Sequence, residues 1–297
     1  MNGILVVNKP CDHTSHDVVA RLRGILHQKR IGHGGTLDPM AVGVLPILVG
    51  RATRASEYLL GDKEYVAEAA FGVCTDSQDH TGQILETSAH RPSREELLKV
   101  LDAFRGDIMQ IPPMVSAVKI GGRKLYELHR RGVEIERPAR PATIHELILE
   151  KFTADGCTLR VRVSKGTYIR TLIHDIGLQL GCLAVLTALT RTVADPFTLA
   201  QALTLEEIGT AAQTGEAERL LLPVDSLFAK YPAIDVSGRS EVLCRNGNSF
   251  PLTESPLPEG LCRVYAANGD FLLLGRIGER DGRQYVHTEK SFFEVNG

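Results

Sequence analysis

The chain has 297 residues, 43% of them hydrophobic, and a formal net charge of −2. That length suits one large core with a satellite domain, or two medium domains, and the near-neutral charge excludes a uniformly basic nucleic-acid binder. The longest apolar stretch, residues 40–50, is broken by Gly43, Pro46 and Gly50 and is about half a bilayer span, so no membrane segment is expected.

In chain order, the start has no basic n-region and no small-residue cleavage site, so residues 4–7 read as a buried first strand and the cytoplasm as the compartment. Thr14-Ser15 caps a helix whose apolar residues Val18, Val19, Leu22, Ile25 and Leu26 recur at helical spacing. A glycine-rich loop follows over residues 32–39, then an apolar run over 42–49 and a helix over 52–60. Residues 63–73 read as a strand entering a polar turn at 75–82. Ser93 and Glu96 form a capping box ahead of an apolar face of Leu97, Leu98, Leu101 and Phe104. Residues 115–120, the turn Gly121-Gly122 and a basic helix over 123–131 come next. Residues 142–152 and 158–163 alternate as strands, and a helix from about Tyr168 to Leu180 ends at Gly181. Strands interleaved irregularly with helices indicate an α+β protein rather than a doubly wound one.

Beyond residues 223–233 the segments become short and β-like. Asn246-Gly247, Asn268-Gly269 and Asp281-Gly282 punctuate them as hairpin-turn signals. Two domains are therefore expected, residues 1–226 and 227–297. The six cysteines are scattered singly with no metal-ligand spacing, which points to reduced packing residues and no metal. The loop 76–82 lacks the ligand alternation of a calcium site. Charge is unevenly spread: residues 1–54 carry seven Lys and Arg against three Asp and Glu, and residues 115–170 twelve against six. If these segments share a face, they can attract phosphates despite the neutral total.

Asp38 precedes Pro39, which favours an extended backbone, and follows Gly34-Gly35, which permit close approach of another group. The combination presents a carboxylate at a loop tip. The surrounding run from Arg30 to Ile47, containing Gly32-His33-Gly34-Gly35-Thr36-Leu37-Asp38-Pro39, resembles the catalytic motif of the TruB family, the tRNA pseudouridine-55 synthases. Lys9-Pro10 with Thr14-Ser15-His16-Asp17 is similar to the family's opening motif. Lys63-Glu64-Tyr65 with the run from Thr75 to Gly82 resembles the second, and Ile111-Pro112-Pro113-Met114-Val115-Ser116-Ala117-Val118-Lys119 the third. Ser164-Lys165-Gly166-Thr167-Tyr168-Ile169-Arg170, then Leu189-Thr190-Arg191, complete the set. The C-terminal stretch looks, more loosely, like a PUA-type RNA-binding domain.

The resemblance implies a mixed, largely antiparallel sheet flanked by helices, with a small β-barrel-like PUA domain behind it. It implies isomerisation of uridine 55 in the tRNA T arm, with no cofactor, by a monomer that needs no protein partner. Glycosidic cleavage develops oxocarbenium character that a carboxylate can stabilise or trap, and Asp38 takes that role by resemblance. Arg170 resembles the arginine paired with it, Tyr65 the tyrosine that stacks on the target base, and Tyr168 and Leu189 residues lining the uracil pocket. His33 resembles the histidine that fills the space left by an extruded base. Lys9, Arg30, Lys119, Arg123, Lys124, Arg130 and Arg131 are phosphate-contact candidates.

Three other readings compete. A non-catalytic tRNA-binding or folding factor on the same scaffold would not need Asp38, Tyr65 and Arg170 together. The ribosomal type of synthase has arginine where Thr36 stands. The guide-RNA-dependent type usually carries basic extensions, which this chain is not expected to have.

Overall fold

The computed structural model describes residues 1–59, 61–252 and 256–293. The chain opens with strand β1 (Gly3–Lys9), helix α1 (Ser15–Ile25), strands β2 (Ile31–His33) and β3 (Val42–Val49), a 3₁₀ helix over Gly50–Tyr58, and strand β4 (Lys63–Phe71). A hairpin of β5 (Val73–Thr75) and β6 (Ile84–Thr87) leads to helix α2 (Arg94–Ala103) and strand β7 (Gly106–Gln110). Two-residue strands β8 (Lys119–Ile120) and β9 (Arg123–Lys124) and helix α3 (Leu125–His129) precede the long strands β10 (Arg140–Thr153) and β11 (Gly156–Val163). Helix α4 (Ile169–Gln179), strands β12 (Ala184–Ala194) and β13 (Phe197–Thr198) and helix α5 (Leu205–Gln213) follow.

The main sheet runs in the spatial order β1, β3, β12, β4, β11, β10, β7, with β2 added to β3 and β13 to β12. Its pairings are antiparallel except for β12 beside β3. This is the α+β architecture with a mixed, largely antiparallel sheet that the sequence led us to expect. Period-two alternation divides β1 between two apolar layers. Leu5 and Val7 pack with Val18 and Leu22 of α1 and Leu172 and Ile176 of α4. Ile4 and Val6 pack on the other side with Val44, Leu48 and Phe197. Each fully buried leucine or isoleucine in these layers contributes about 2 kcal/mol.

Local signals set the element ends. Thr14 caps α1 reciprocally with Asp17, and Ser93 caps α2 with Glu96. Gly181, at φ +67°, ends α4 in the left-handed conformation expected of a residue just past a helix. Three expectations need correction. The helix over residues 52–60 is a 3₁₀ helix over Gly50–Tyr58, with Leu60 outside the described residues. Ala52, Ala55 and Tyr58 face apolar neighbours at a spacing of three, the period of that tighter turn. The basic helix over 123–131 is instead strand β9 followed by the five-residue helix α3, because Arg123 and Lys124 pair across Gly121-Gly122 with β8. Asn246-Gly247 ends helix α6 (Gly238–Arg245) rather than turning a hairpin.

The C-terminal part forms a separate five-stranded sheet of β14 (Ala233–Val236), β15 (Phe250–Pro251), β16 (Gly260–Ala266), β17 (Phe271–Arg280) and β18 (Arg283–Ser291). The strands lie in the order β14, β16, β17, β18, β15. Asp281 and Gly282 both have positive φ, +52° and +71°, as a tight two-residue hairpin between β17 and β18 requires. Val264, Leu272, Leu273 and Val286 give this sheet its own core. Phe228, Leu274 and Phe292 join it to Ala55 and Tyr58 of the 3₁₀ helix. Residues 294–297 of the expected second domain lie outside the described residues. No described helix is long and apolar enough to cross a membrane.

Gly43 of β3, at φ +104°, pairs with Arg191 of β12, and an added Cβ there would lie 2.3 Å from the Arg191 carbonyl oxygen. Gly43→Ala is therefore expected to lower unfolding stability by at least about 2 kcal/mol, as measured by urea denaturation, whereas Gly24→Ala, with open space around its Cβ, leaves the midpoint nearly unchanged or raises it.

Candidate active site

Residues 34–41 form the loop between β2 and β3, and three side chains from elsewhere grip it. The Ser15 hydroxyl, at the start of α1, accepts from Leu37 N at 2.9 Å and donates to Leu37 O at 3.2 Å. Lys9, at the end of β1, is fully buried, and its Nζ donates to the carbonyl oxygens of Pro10, His13 and Pro39 at 2.7–3.0 Å. Arg191, on β12 and 1% exposed, donates to Val44 O at 2.7 Å, Thr36 O at 3.3 Å and Gly35 O at 3.5 Å. At Gly34 a Cβ would lie 2.1 Å from Leu59 Cδ1, so a larger residue would have to displace the Leu59 side chain.

The grip orients Asp38. Its two carboxylate oxygens face Arg170: Nη2 donates to Oδ1 at 3.1 Å, and Nε lies 2.8 Å from Oδ2 as an ion-pair contact. Arg170 comes from the first turn of α4, and its side chain is only 3% exposed against 32% for Asp38. Its remaining N–H groups donate to Ser77 O and Val115 O, each at 2.9 Å. Asp79 stands 3.6 Å from Arg170 Nη1 as a second carboxylate. Its Oδ1 accepts from Ser77 Oγ, Thr81 N and Thr81 Oγ1 at 2.6–3.0 Å. Burial pushes the Asp38 carboxyl above the usual aspartate range; Arg170 and Lys9 pull it down, and Asp79 pushes it up.

Asp38 opens onto a cavity of about 360 Å³, within the size range of small-ligand sites. Strand alternation puts Lys63 and Tyr65 of β4 and Leu189 and Arg191 of β12 on its wall, because Arg191 pairs with Tyr65 in register. Tyr65 is 7% and Leu189 5% exposed. Tyr168, at the N-cap of α4, also lines the cavity, and its backbone is fixed at both N and O by the Gln110 amide. His33 closes the cavity from β2, where burial lowers its pKa and favours the neutral ring. The six residues expected at the catalytic and base-binding site, His33, Asp38, Tyr65, Tyr168, Arg170 and Leu189, thus share one cavity.

Residues 23–169 match the TruB family pseudouridylate synthase N-terminal domain, and residues 170–229 match the tRNA pseudouridylate synthase B C-terminal domain. The tRNA pseudouridine synthase B of Escherichia coli K12 is 40% identical over 294 residues, covering 95% of this chain and 93% of that protein. The chain belongs to the TruB family. The enzyme of the same name from Shigella flexneri serotype 5b matches equally. Among solved structures, the crystal structure of a Cbf5-Nop10-Gar1 complex contains a chain with a TM-score of 0.73 and 27% identity, covering 98% of this chain and 85% of that one. A chain in an H/ACA RNP bound to a substrate RNA containing 2′-deoxyuridine has the same TM-score at 24% identity, covering 99% and 86%, and supports the fold alone.

Of the phosphate candidates, Lys9 needs correction: fully buried and bonded to three carbonyl oxygens, it is a strut of the Asp38 loop and cannot reach a phosphate. Arg30 is exposed and bonded to Thr53 Oγ1 at 2.7 Å. Lys119, Arg123, Arg130 and Arg131 are exposed on the segment around α3, where Lys124 and Arg130 flank the Tyr126 ring. This segment has a small core of Met114, Leu125 and Leu128. Residues that sequence reasoning passed over are Asp79, Lys63, Gln110 and the bracing role of Arg191. Asp79 and Lys63 stand in stretches similar to TruB motifs, but no spacing along the chain ties them to Asp38.

Burial lowers the Lys9 ammonium to about 8, well below its ordinary 10.5. A folded-state pKa below the unfolded value means that the unfolded chain binds more protons between those two pH values, so folding stability rises with pH across that window. Lys9→Met is expected to flatten this rise in denaturation measured from pH 8 to 10.5, and an unchanged slope would refute the buried ammonium.

Proposed function

We propose that Asp38 is the nucleophile with which this chain, as a TruB-family tRNA pseudouridine synthase, isomerises uridine 55 in the T arm of tRNA. The observation that carries this reading is the ionisable carboxylate clamped by Arg170 at the wall of a cavity whose other sides are Tyr65, Tyr168 and Leu189. Isomerisation breaks the bond from C1′ to N1, turns the uracil and joins C1′ to C5. The C5 proton is lost and N1 gains one, with no redox change. Asp38 stabilises or traps the electron-poor centre while the glycosidic bond is open. Tyr65 offers a ring for the base to stack on, and Leu189 and Tyr168 exclude water around it.

A uridine inside a folded T arm has to leave its stack to reach such a cavity. The neutral His33 ring, at the cavity edge, is suited to occupying the vacated space. Arg30 and the basic residues around α3 are the proposed contacts to the stem-loop phosphates, with Lys9 excluded. We further read residues 1–226 as the catalytic domain and 227–297 as a PUA-like RNA-binding domain. The boundary falls inside the 3₁₀ helix Val224–Phe228, just before Phe228 enters the cluster shared with the second sheet. The enzyme on this reading works as a monomer in the cytoplasm.

Tritium release from a T-arm transcript labelled at uridine C5 tests the proposal. Wild type is expected to release tritium and Asp38→Asn to release none while still binding the transcript; activity in Asp38→Asn would remove the nucleophile assignment. Arg170→Lys, which cannot face both carboxylate oxygens while also reaching Ser77 O and Val115 O, is expected to lower kcat about 10²-fold, the scale of a small misplacement of a reacting group.

The pH profile gives a second check. Asp38 has to be ionised to act, and burial raises its pKa, so the acid limb of kcat/KM should lie above the usual aspartate range. Because the Asp79 charge also raises it, Asp79→Asn is expected to move that limb to lower pH. A limb that stays in place would show that Asp79 does not act on Asp38.

A further inference from the structure

The cavity holds two cations beyond those already given a role. Lys63, Lys165, Arg170 and Arg191 line it, against a single lining carboxylate, Asp38. Arg170 is matched by Asp38 and Asp79, and Arg191 is occupied with carbonyl oxygens of the loop and of β3. Lys63 and Lys165 have no such match. Lys63 is 9% exposed, and its Nζ donates to the Gly61 carbonyl oxygen. The acids that act on it, Asp62 and Asp195, are each paired elsewhere, with His145 and Arg162.

Lys165 stands exposed at the rim, on the turn between β11 and α4, with no carboxylate partner among the described residues. The turn is firmly held: Thr167 Oγ1 donates to Ser164 O at 2.9 Å, and Ser164 Oγ accepts from Thr143 N at 2.9 Å. The neighbouring Gly166, where φ is +91°, has open space beside it. Burial, Arg191 and Lys165 together depress the Lys63 ammonium to about 8, as expected of cations gathered without an anion.

We propose that Lys63 and Lys165 form the seat of a phosphodiester adjoining the nucleotide whose base occupies the cavity. This rests on the reading of the chain as a tRNA pseudouridine synthase. A uracil is neutral and calls for no unmatched cation, whereas every nucleotide inside a polynucleotide carries a phosphate on each side. Extruding the base swings those phosphates toward the mouth of the cavity. Lys165 at the rim meets the incoming charge, and Lys63 deeper in the wall supplies a second positive charge. The seat thus helps to hold the nucleotide in the extruded position, in addition to any phosphate contacts made along the stem.

Lys165→Ala and Lys165→Arg test this, since the side chain makes no contact on which folding depends. Tritium release is measured on T-arm transcripts with natural phosphates, or with an uncharged methylphosphonate replacing each phosphate flanking the target uridine in turn. Lys165→Ala is expected to raise KM about tenfold, the scale of one charge-assisted hydrogen bond, with kcat little changed. The slope of log(kcat/KM) against log salt concentration should become shallower by about 0.7, the value for one phosphate contact on a single strand. A methylphosphonate at one of the two positions should cost wild type as much, cost Lys165→Ala nothing further, and Lys165→Arg should restore KM. Unchanged KM and salt slope in Lys165→Ala, or losses that simply add for variant and methylphosphonate, would overturn the proposal. A wild-type enzyme inactive on the unmodified transcript would instead sink the synthase reading, and the phosphate seat with it.

Discussion

The buried guanidinium of Arg170 is the constraint on which the site depends. Removing one partner from a buried ion pair leaves a charge uncompensated, at a cost of about 3–5 kcal/mol. Arg170 avoids that cost by engaging four groups on three segments at once: the Asp38 carboxylate, Ser77 O and Asp79 in the turn after β5, and Val115 O beyond β7. These segments are remote in sequence and share no strand. A single planar donor set at the start of α4 is what gives them a common geometry, and a lysine, with one point of charge, could not reach them all.

The loop that carries Asp38 is fixed by three side chains from other elements, of which Arg191 also lines the cavity. To the burial of Leu37, Met40 and Ala41 in the main core are added the hydrogen bonds with which Ser15, Lys9 and Arg191 occupy its backbone carbonyls. Two of these three are cations, which adds positive potential around an acid whose own charge is taken up by Arg170. The cavity is therefore cationic apart from Asp38, and its burial raises the carboxyl while lowering His33, Lys9 and Lys63. Each shift has the direction that desolvation dictates for its charge type.

Much of this was legible in the sequence, for reasons that differ by residue. Helix ends were readable where a cap is local, as at Thr14 with Asp17 and Ser93 with Glu96. The strands were readable where burial alternates, as along β4 and β11. Resemblance to TruB motifs brought out six residues that share the cavity, but the partnership of Asp79 with Arg170 depends on folding two distant turns together. Lys9 was misread because charge alone suggests solvent, and only the fold reveals three carbonyl oxygens around its Nζ. Arg123 and Lys124 were misread because a run of basic side chains has no period that separates a helix from a two-residue strand.

The basic segment around α3 is not an independent appendage. On the side of β7 it is anchored through Gln110, whose amide clasps the backbone of Tyr168, and through Val115, whose carbonyl oxygen accepts from Arg170. Both anchors converge on the start of α4, where Lys165, Tyr168 and Arg170 follow one another within a few residues. Its own core is only Met114, Leu125 and Leu128 with their partly buried neighbours, so its placement depends on these anchors more than on its own packing. A force applied to the exposed basic residues by a bound polyanion thus reaches the backbone of the helix that clamps Asp38, through two hydrogen-bonded contacts.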